Sequence, residues 1–172
     1  MRLLLVLFSC VFGCLQACQR PCIPEKIDYI HGRIGSYSLV YNSFRWRLLT
    51  EEYNENSDRY VFSTRHNKAQ AFVRVSTKYE IVSLDEIVKE LEKTWQDEAN
   101  SLQLLSQEEV SLNDVPVLHL QFSGSGRLID SYLFIEKNWM LTLSIIREAS
   151  DAERLQREVN AFLWGVRILE GG

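Results

Sequence analysis

The chain has 172 residues, of which 46% are hydrophobic, 24% charged and 11% aromatic, and its formal net charge is −4. This composition is typical of a globular protein and excludes a disordered tail, and the length favours a single domain. The acidic balance lacks the basic footprint of nucleic-acid-binding proteins, so no nucleic acid partner is expected.

Residues 1–17, MRLLLVLFSCVFGCLQA, have the features of a secretory leader. Arg2 supplies a positive charge, and the stretch from Leu3 to Leu15 carries no charge. That stretch is shorter than the roughly 20 apolar residues that span a bilayer. A buried N-terminal helix is the alternative, which the Met-Arg start and the apolar run disfavour. We therefore predict a signal peptide over residues 1–17 that is removed from the mature protein.

Residues 15–18, with the sequence LQAC, resemble the lipobox of bacterial lipoproteins. That pattern has Leu three positions before the cleaved bond, a small residue just before it and Cys directly after it. The resemblance implies that Cys18 carries a diacylglycerol and fatty acyl chains such as palmitate, and two or three such chains anchor a protein stably. Cys10 and Cys14 are competing matches that would leave a very short leader. Ordinary cleavage before Cys18, giving a soluble secreted protein, is disfavoured by the bulky Leu15.

The predicted anchor determines the expected location and partners. Acylation of Cys18 leaves Cys22 free or paired with another chain, since all four cysteines lie near the N-terminus. Gln19, standing where Asp would favour the inner membrane, favours the outer membrane in a Gram-negative organism. We expect a lipid-anchored protein of the cell envelope, facing the periplasm or the outside. Its partner is an unidentified envelope protein or ligand, and its oligomeric state is left open.

The predicted mature chain consists of a lipidated tether over residues 18–27 and one domain over residues 28–172. Pro21 and Pro24 favour an extended tether. Without the leader, 18 Lys and Arg stand against 23 Asp and Glu, a formal charge of −5. Such a charge disfavours adhesion of the protein surface to anionic lipid, so the membrane is expected to be reached through the covalent anchor.

The remaining sequence predicts strands before and after each of two helices. Before the first helix, strands are predicted at residues 36–41, 45–50, 60–63 and 69–79, with a polar loop at 51–58. The first helix is predicted over residues 83–102, where apolar residues recur at helical spacing and Ser83 with Glu86 forms a capping box. Further strands are predicted at residues 116–123, 127–136 and 139–147.

The second helix is predicted from Ser150, with Glu153 completing another capping box. Two amphipathic helices need a sheet to cover. The predicted fold class is therefore α+β, a mainly antiparallel sheet flanked by two amphipathic helices.

The strand Tyr37–Tyr41 followed by Trp46, and the three-strand meander between Asn113 and Ile146, resemble the Mog1/PsbP-like family, which includes bacterial envelope lipoproteins. The resemblance covers roughly residues 30–168. It implies an α/β/α sandwich and a role in binding or assembling other proteins rather than catalysis. A shared fold does not by itself transfer a function.

No catalytic, cofactor-binding or metal-binding residue is predicted. The histidines lack the spacing of a helical zinc site, and the Gly-Ser-Gly segment at residues 124–126 lacks the features of a phosphate loop or nucleophile elbow. We therefore expect a non-catalytic binding or assembly role. The alternative is a hydrolase whose site is assembled from His119, Asp130 and Ser125, which requires the three side chains to converge.

The basic segment at residues 45–47 is interpreted as a buried Trp46 between two surface arginines. A small basic patch shared with Arg74 and Lys78 of another strand is the alternative, and it would suit an acidic partner or a glycan.

Overall fold

The structure is a computed structural model that describes residues 26–77, 84–95, 102–136 and 138–169. The helices are α1 (Leu84–Trp95) and α2 (Ala152–Trp164). The strands are β1 (Ile27–His31), β2 (Tyr37–Asn42), β3 (Trp46–Tyr53), β4 (Ser57–Thr64), β5 (Ala69–Thr77), β6 (Gln103–Leu112), β7 (Val115–Gly124), β8 (Arg127–Ile135), β9 (Trp139–Glu148) and β10 (Val166–Ile168).

The strands form two sheets in which all neighbouring strands run antiparallel. The larger sheet has seven strands in the order β3-β4-β5-β9-β8-β7-β6, and the smaller has three in the order β1-β2-β10. Pairing of β5 with β9 joins two meanders into the large sheet, with Ala69 opposite Arg147 and Thr77 opposite Trp139. The predicted α+β class with a mainly antiparallel sheet and two helices is confirmed.

The large sheet is covered on both faces because its strands alternate between two apolar sets of side chains. One face packs against α2 and the small sheet, and its buried residues include Val73, Val75, Leu141, Leu143 and Ile145. The opposite face, which includes Leu120, Phe122, Ile129 and Leu133, packs against Ile87 of α1. The molecule is therefore layered, with α1 on one side of the large sheet and α2 with the small sheet on the other.

Short hairpins join the strands from β6 to β8. Asn113 and Asp114, with φ of 52° and 69°, connect β6 to β7. Ser125 and Gly126, with φ of 50° and 75°, connect β7 to β8. Two successive residues of positive φ are the signature of the type I′ turn, whose twist matches that of the flanking strands.

Three strands were missed by the sequence analysis, namely β1, β6 and β10. Strand β6 lies at the edge of the large sheet and is mostly exposed, so its sequence lacks the alternation that marks a half-buried strand. The predicted loop over residues 51–58 is also shorter than expected, because β3 continues to Tyr53 and β4 begins at Ser57. Strand β10 has only three residues and follows directly after α2.

The capping box predicted at Ser150 is wrong. A 3₁₀ turn occupies Ala149–Asp151, and α2 begins at Ala152 with Asp151 as N-cap, which makes no side-chain capping hydrogen bond. Asp151 instead binds Lys68 and Arg154. The first predicted capping box depends on Ser83, which lies outside the described residues. Within the described ranges, no helix is both long and apolar enough to cross a membrane.

Aromatic packing holds α2 on the large sheet. The ring centroid of Phe162 lies 4.7 Å from that of Trp46 and 5.0 Å from that of Phe62. Phe162 is 3% exposed, whereas Trp164, two residues later on the same helix, is 69% exposed. Replacing Phe162 should therefore affect the stability of the fold more than replacing Trp164.

We expect Phe162→Ala to lower the free energy of unfolding by about 3–5 kcal/mol, because it removes a buried ring and leaves a cavity. Trp164→Ala is the matched control and should change stability by less than about 0.5 kcal/mol, as is usual for surface positions. Urea denaturation followed by circular dichroism measures both. Equal losses for the two variants would contradict this account of α2 packing.

Candidate functional site

A polar cluster lies on the face of the large sheet that α2 covers. Strand alternation places His119 and Asp130 on this face, opposite to the apolar residues of β7 and β8 that contact α1. Register sets Gln121 opposite Asp130, and Glu108 of β6 opposite His119. Arg147 of β9 completes the cluster from the next strand.

Asp130 is the centre of this cluster and its side chain is only 3% exposed. Its Oδ2 accepts a hydrogen bond from Nη2 of Arg147 at 2.8 Å. Its Oδ1 accepts one from Nε2 of Gln121 at 3.0 Å and lies 3.1 Å from Nε2 of His119. Arg147 in turn donates from Nη1 to the side chain of Gln156 at 2.7 Å, which connects the cluster to α2.

His119 has a carboxylate at each ring nitrogen. Its Nδ1 lies 3.3 Å from Oε1 of Glu108, in addition to the contact between Nε2 and Asp130. Its ring stacks on Tyr132 with centroids 4.6 Å apart and planes 11° apart. Protonated His119 and Arg147 together balance the two carboxylates.

These contacts shift the pKa of His119 and of Asp130. The hydrogen bond to Asp130 raises the pKa of His119 above its usual 6.5; burial opposes this shift, and Glu108 adds to it. For Asp130, burial alone would raise the pKa, but hydrogen bonds from His119 and Gln121 and the charge of Arg147 lower it below its usual value. The cluster is therefore built to hold charged groups in pairs.

The hydrolase alternative requires Ser125 to join His119 and Asp130, and the structure brings together only the latter two. Ser125 lies in the β7–β8 turn. At a strand rise of about 3.3 Å per residue, that turn is roughly 20 Å along β7 from His119. Both ring nitrogens of His119 also face carboxylates, so neither is directed at a serine hydroxyl. The predicted convergence of the three residues is wrong.

The other residues singled out from the sequence lie apart from this cluster. His31 is exposed on β1 and His66 is exposed in the β4–β5 turn. In the described part of the chain, no group of three or more His, Cys, Asp or Glu is placed to hold a metal ion. Cys18 and Cys22 lie outside the described residues.

Trp46 is 1% exposed, and Arg45 and Arg47 on either side of it are exposed, as predicted. The alternative patch with Arg74 does not form, because β4 separates β3 from β5 and places Arg59 opposite Arg74. Lys78 lies outside the described residues.

A cavity of about 540 Å³ opens beside the polar cluster, between the C-terminal part of α2 and the β6–β7 hairpin. Its walls combine aromatic, cationic and amide side chains, including His119, Tyr132, Asn160, Trp164 and Arg167. Nδ2 of Asn113 donates to the carbonyl oxygens of Leu163, Trp164 and Val166 at 3.2, 3.3 and 2.6 Å. These bonds fix the end of α2 that carries the exposed indole ring of Trp164.

A second groove of about 690 Å³ lies between α1 and the part of the large sheet formed by β3, β4, β5 and β9. Phe72 and Met140 contribute apolar surface, and Arg59 and Arg74 contribute positive charge. In the sequence of β5, Phe72 stands among the polar residues Gln70, Arg74 and Ser76 on the strand face opposite to Val73 and Val75. Both concave sites have the size of ligand pockets, and the first is distinguished by His119 of the polar cluster in its wall and by Trp164 at its rim.

Comparison with solved structures decides the fold family. The solution structure of cyanobacterial PsbP, CyanoP, from Synechocystis sp. PCC 6803 is similar with a TM-score of 0.64 at 10% sequence identity, covering 84% of this chain and 94% of that chain. The chain has a PsbP-like fold. The crystal structure of LpqN from Mycobacterium tuberculosis is similar with a TM-score of 0.52 at 14% identity, covering 82% of this chain and 89% of that chain.

No protein-family model matches the sequence, and no curated protein is similar to it. At these low sequence identities the PsbP-like fold is what the structural similarity shows. The signals that could have identified the site from sequence alone were also weak. The sequence points to His119 and Asp130 as a possible pair, but it does not link Arg147, Glu108 or Trp164 to them, because only the strand register and the position of α2 bring these residues together.

The raised pKa of His119 predicts a pH-dependent stability. Protonated His119 stabilises the fold fully below its usual pKa of 6.5, and this contribution is lost as the pH rises from there through the raised pKa. We expect the stability advantage of the wild type over His119→Gln to decrease over that interval. Urea denaturation at a series of pH values from about 5 to about 9 measures the difference.

His66→Gln is the matched control, since it removes an exposed histidine in a turn outside the cluster. Its pH profile should parallel that of the wild type. A His119→Gln profile parallel to the wild type over the same interval would show that the contacts with Asp130 and Glu108 do not favour the protonated ring.

Proposed function

We propose that this chain is a lipid-anchored protein of the bacterial cell envelope, attached to the membrane through Cys18, whose PsbP-like domain binds another envelope component without catalysing a reaction. The observation that carries the binding role is the open cavity beside His119, with a 69% exposed Trp164 at its rim. An exposed aromatic residue at a concave site is a common feature of binding surfaces.

The arrangement of the polar cluster supports binding over catalysis. A general base needs a free nitrogen facing its substrate, and both nitrogens of His119 are held by carboxylates. Asp130 is buried, and its carboxylate oxygens are hydrogen-bonded to Arg147, Gln121 and His119. His119 therefore lines the cavity with both of its ring nitrogens already held by carboxylates.

Sequence features support the envelope location. The leader at residues 1–17 and the LQAC segment at residues 15–18 are typical of bacterial lipoproteins. The neighbour LpqN, described as involved in cell envelope biogenesis, shares the fold, which supports an envelope role for this chain. Placement in the outer membrane rests on Gln19 alone.

The anchor is tested by the intact mass of the protein extracted from the membranes of its host. We expect residues 18–172 plus diacylglycerol, with or without a further acyl chain. Cys22→Ala is the matched control and should keep the lipid, whereas Cys18→Ala should lose it. An unmodified mass for residues 18–172 in the soluble fraction would refute the anchor.

The binding role is tested by photo-crosslinking in intact cells. A photoreactive residue at position 164 should give a discrete crosslinked product, because this position lies at the rim of the cavity. The same residue at position 154 is the matched control, since Arg154 is exposed at the other end of α2. Identical products from both positions, or none from position 164, would contradict binding at the cavity.

A further inference from the structure

Three segments meet at one corner of the domain, where the chain enters its first strand. The backbone N–H and hydroxyl group of Ser43 both donate to the carbonyl oxygen of Lys26, at 2.8 and 3.0 Å. The guanidinium of Arg65 lies over the ring of Phe44, 3.8 Å from its centroid. We define the tether corner as Lys26, residues 42–47 and residues 64–68.

The tether corner is strongly basic. Its sequence contains five Lys or Arg and no Asp or Glu, and these cations are Lys26, Arg45, Arg47, Arg65 and Lys68. Two of them form ion pairs, since Arg45 pairs with Glu158 of α2 at 3.2 Å and Lys68 pairs with Asp151, the N-cap residue of α2, at 2.6 Å. The other three are exposed and form no ion pair with any described residue.

The rest of the chain is acidic. Residues 18–172 contain 18 Lys and Arg, five of which lie in the tether corner. The remaining 13 Lys and Arg are outnumbered by the 23 Asp and Glu of these residues. The far end of β3 and β4 is an example, because residues 51–58 contain four carboxylates and no cation. The net charge of −5 is therefore unevenly distributed, since the tether corner contains five cations and no carboxylate and the rest of residues 18–172 contains an excess of carboxylates.

The tether corner lies close in sequence to the proposed membrane anchor. Lys26 is eight residues from Cys18, and a chain of that length reaches at most about 30 Å. An acyl anchor at Cys18 would therefore hold this corner nearer to the bilayer than any other end of the sheet. Ile27 and Tyr29, which are 45% and 64% exposed on β1, add an apolar and an aromatic side chain of the kind found at membrane interfaces.

We infer that the tether corner docks on an anionic bilayer surface and so orients the domain on the membrane. This inference rests on the proposed function for its anchor at Cys18. Clustered Lys and Arg next to a membrane anchor are attracted to anionic headgroups, and the attraction decreases with ionic strength. The short reach of the tether favours the bilayer over an acidic protein as the occupant.

The test measures sedimentation with lipid vesicles. It uses the chain from residue 18 onward, which keeps every described element, with Cys18→Ser so that no acyl chain contributes. Vesicles of phosphatidylcholine alone are compared with vesicles that also contain phosphatidylglycerol. We expect binding to the anionic vesicles only, decreasing as salt is added. Arg47→Gln with Arg65→Gln should weaken it roughly 25-fold, at about fivefold for each charge lost.

Arg33→Gln with Arg59→Gln is the matched control. It removes the same charge from exposed arginines at the opposite end of the sheet and should retain wild-type binding. Circular dichroism of both double variants verifies that they fold. Equal binding to the two kinds of vesicle, or equal loss in the two double variants, would overturn the inference.

The result of the vesicle assay does not depend on the anchor, because Cys18→Ser removes it. Intact mass showing a lipid on Cys18, together with no preference for anionic vesicles, would refute the docking surface and leave the proposed function standing. A preference for anionic vesicles, together with an intact mass that shows no lipid on Cys18, would support the docking surface and refute the proposed anchor. The protein could also bind neither kind of vesicle and give a crosslink from position 47 to an acidic protein in cells. That result would assign the tether corner to a protein partner and overturn the inference.

Discussion

One buried carboxylate connects the two sheets. Asp58 of β4 is fully buried, and its Oδ2 accepts hydrogen bonds from the backbone N–H groups of Arg33 and Ile34 and from the hydroxyl group of Tyr37. A buried carboxylate without such donors would cost several kcal/mol, so the β1–β2 loop must stay where it can supply them. Gly35 lies in the same loop at φ of 69°, where an added Cβ would be 2.3 Å from the ring of Trp139. The small sheet is thereby held over the core, and β10 pairs with β2 directly after α2.

The placement of α2 then divides its side of the large sheet into an apolar and a polar region. Rings such as Phe162 pack over β3 and β4, and Gln156 meets the polar residues of β8 and β9 through Arg147. Because charged groups are tolerated in a protein interior only as partnered sets, Asp130, Arg147 and His119 form a mutually neutralising cluster. The same partners that make the cluster stable occupy the atoms that acid–base catalysis would need. The arrangement that stabilises the cluster is thus compatible with the proposed binding role.

The two proposed functional surfaces lie at opposite ends of α2. Its first turn is next to the tether corner, where Asp151 binds Lys68, and its last residue is Trp164 at the rim of the cavity. A helix of 13 residues is about 20 Å long. In the proposed orientation the tether corner faces the bilayer and the cavity is held away from it, accessible to another component of the envelope. Lipid attachment and partner binding would then occupy different surfaces of one small domain.

The sequence by itself determined the fold class and both amphipathic helices, and it predicts the leader and the lipid anchor at Cys18, because these depend on local composition and on the period of apolar residues. It did not reveal strands β1, β6 and β10, which are short or lie at sheet edges and lack a marked alternation. Tertiary structure alone decided which charges meet. Asp130 and Arg147 are 17 residues apart, and the segments of the tether corner join across the β2–β3 and β4–β5 turns. Net charge and residue spacing carry no information about such contacts, since long-range strand register and helix docking determine them.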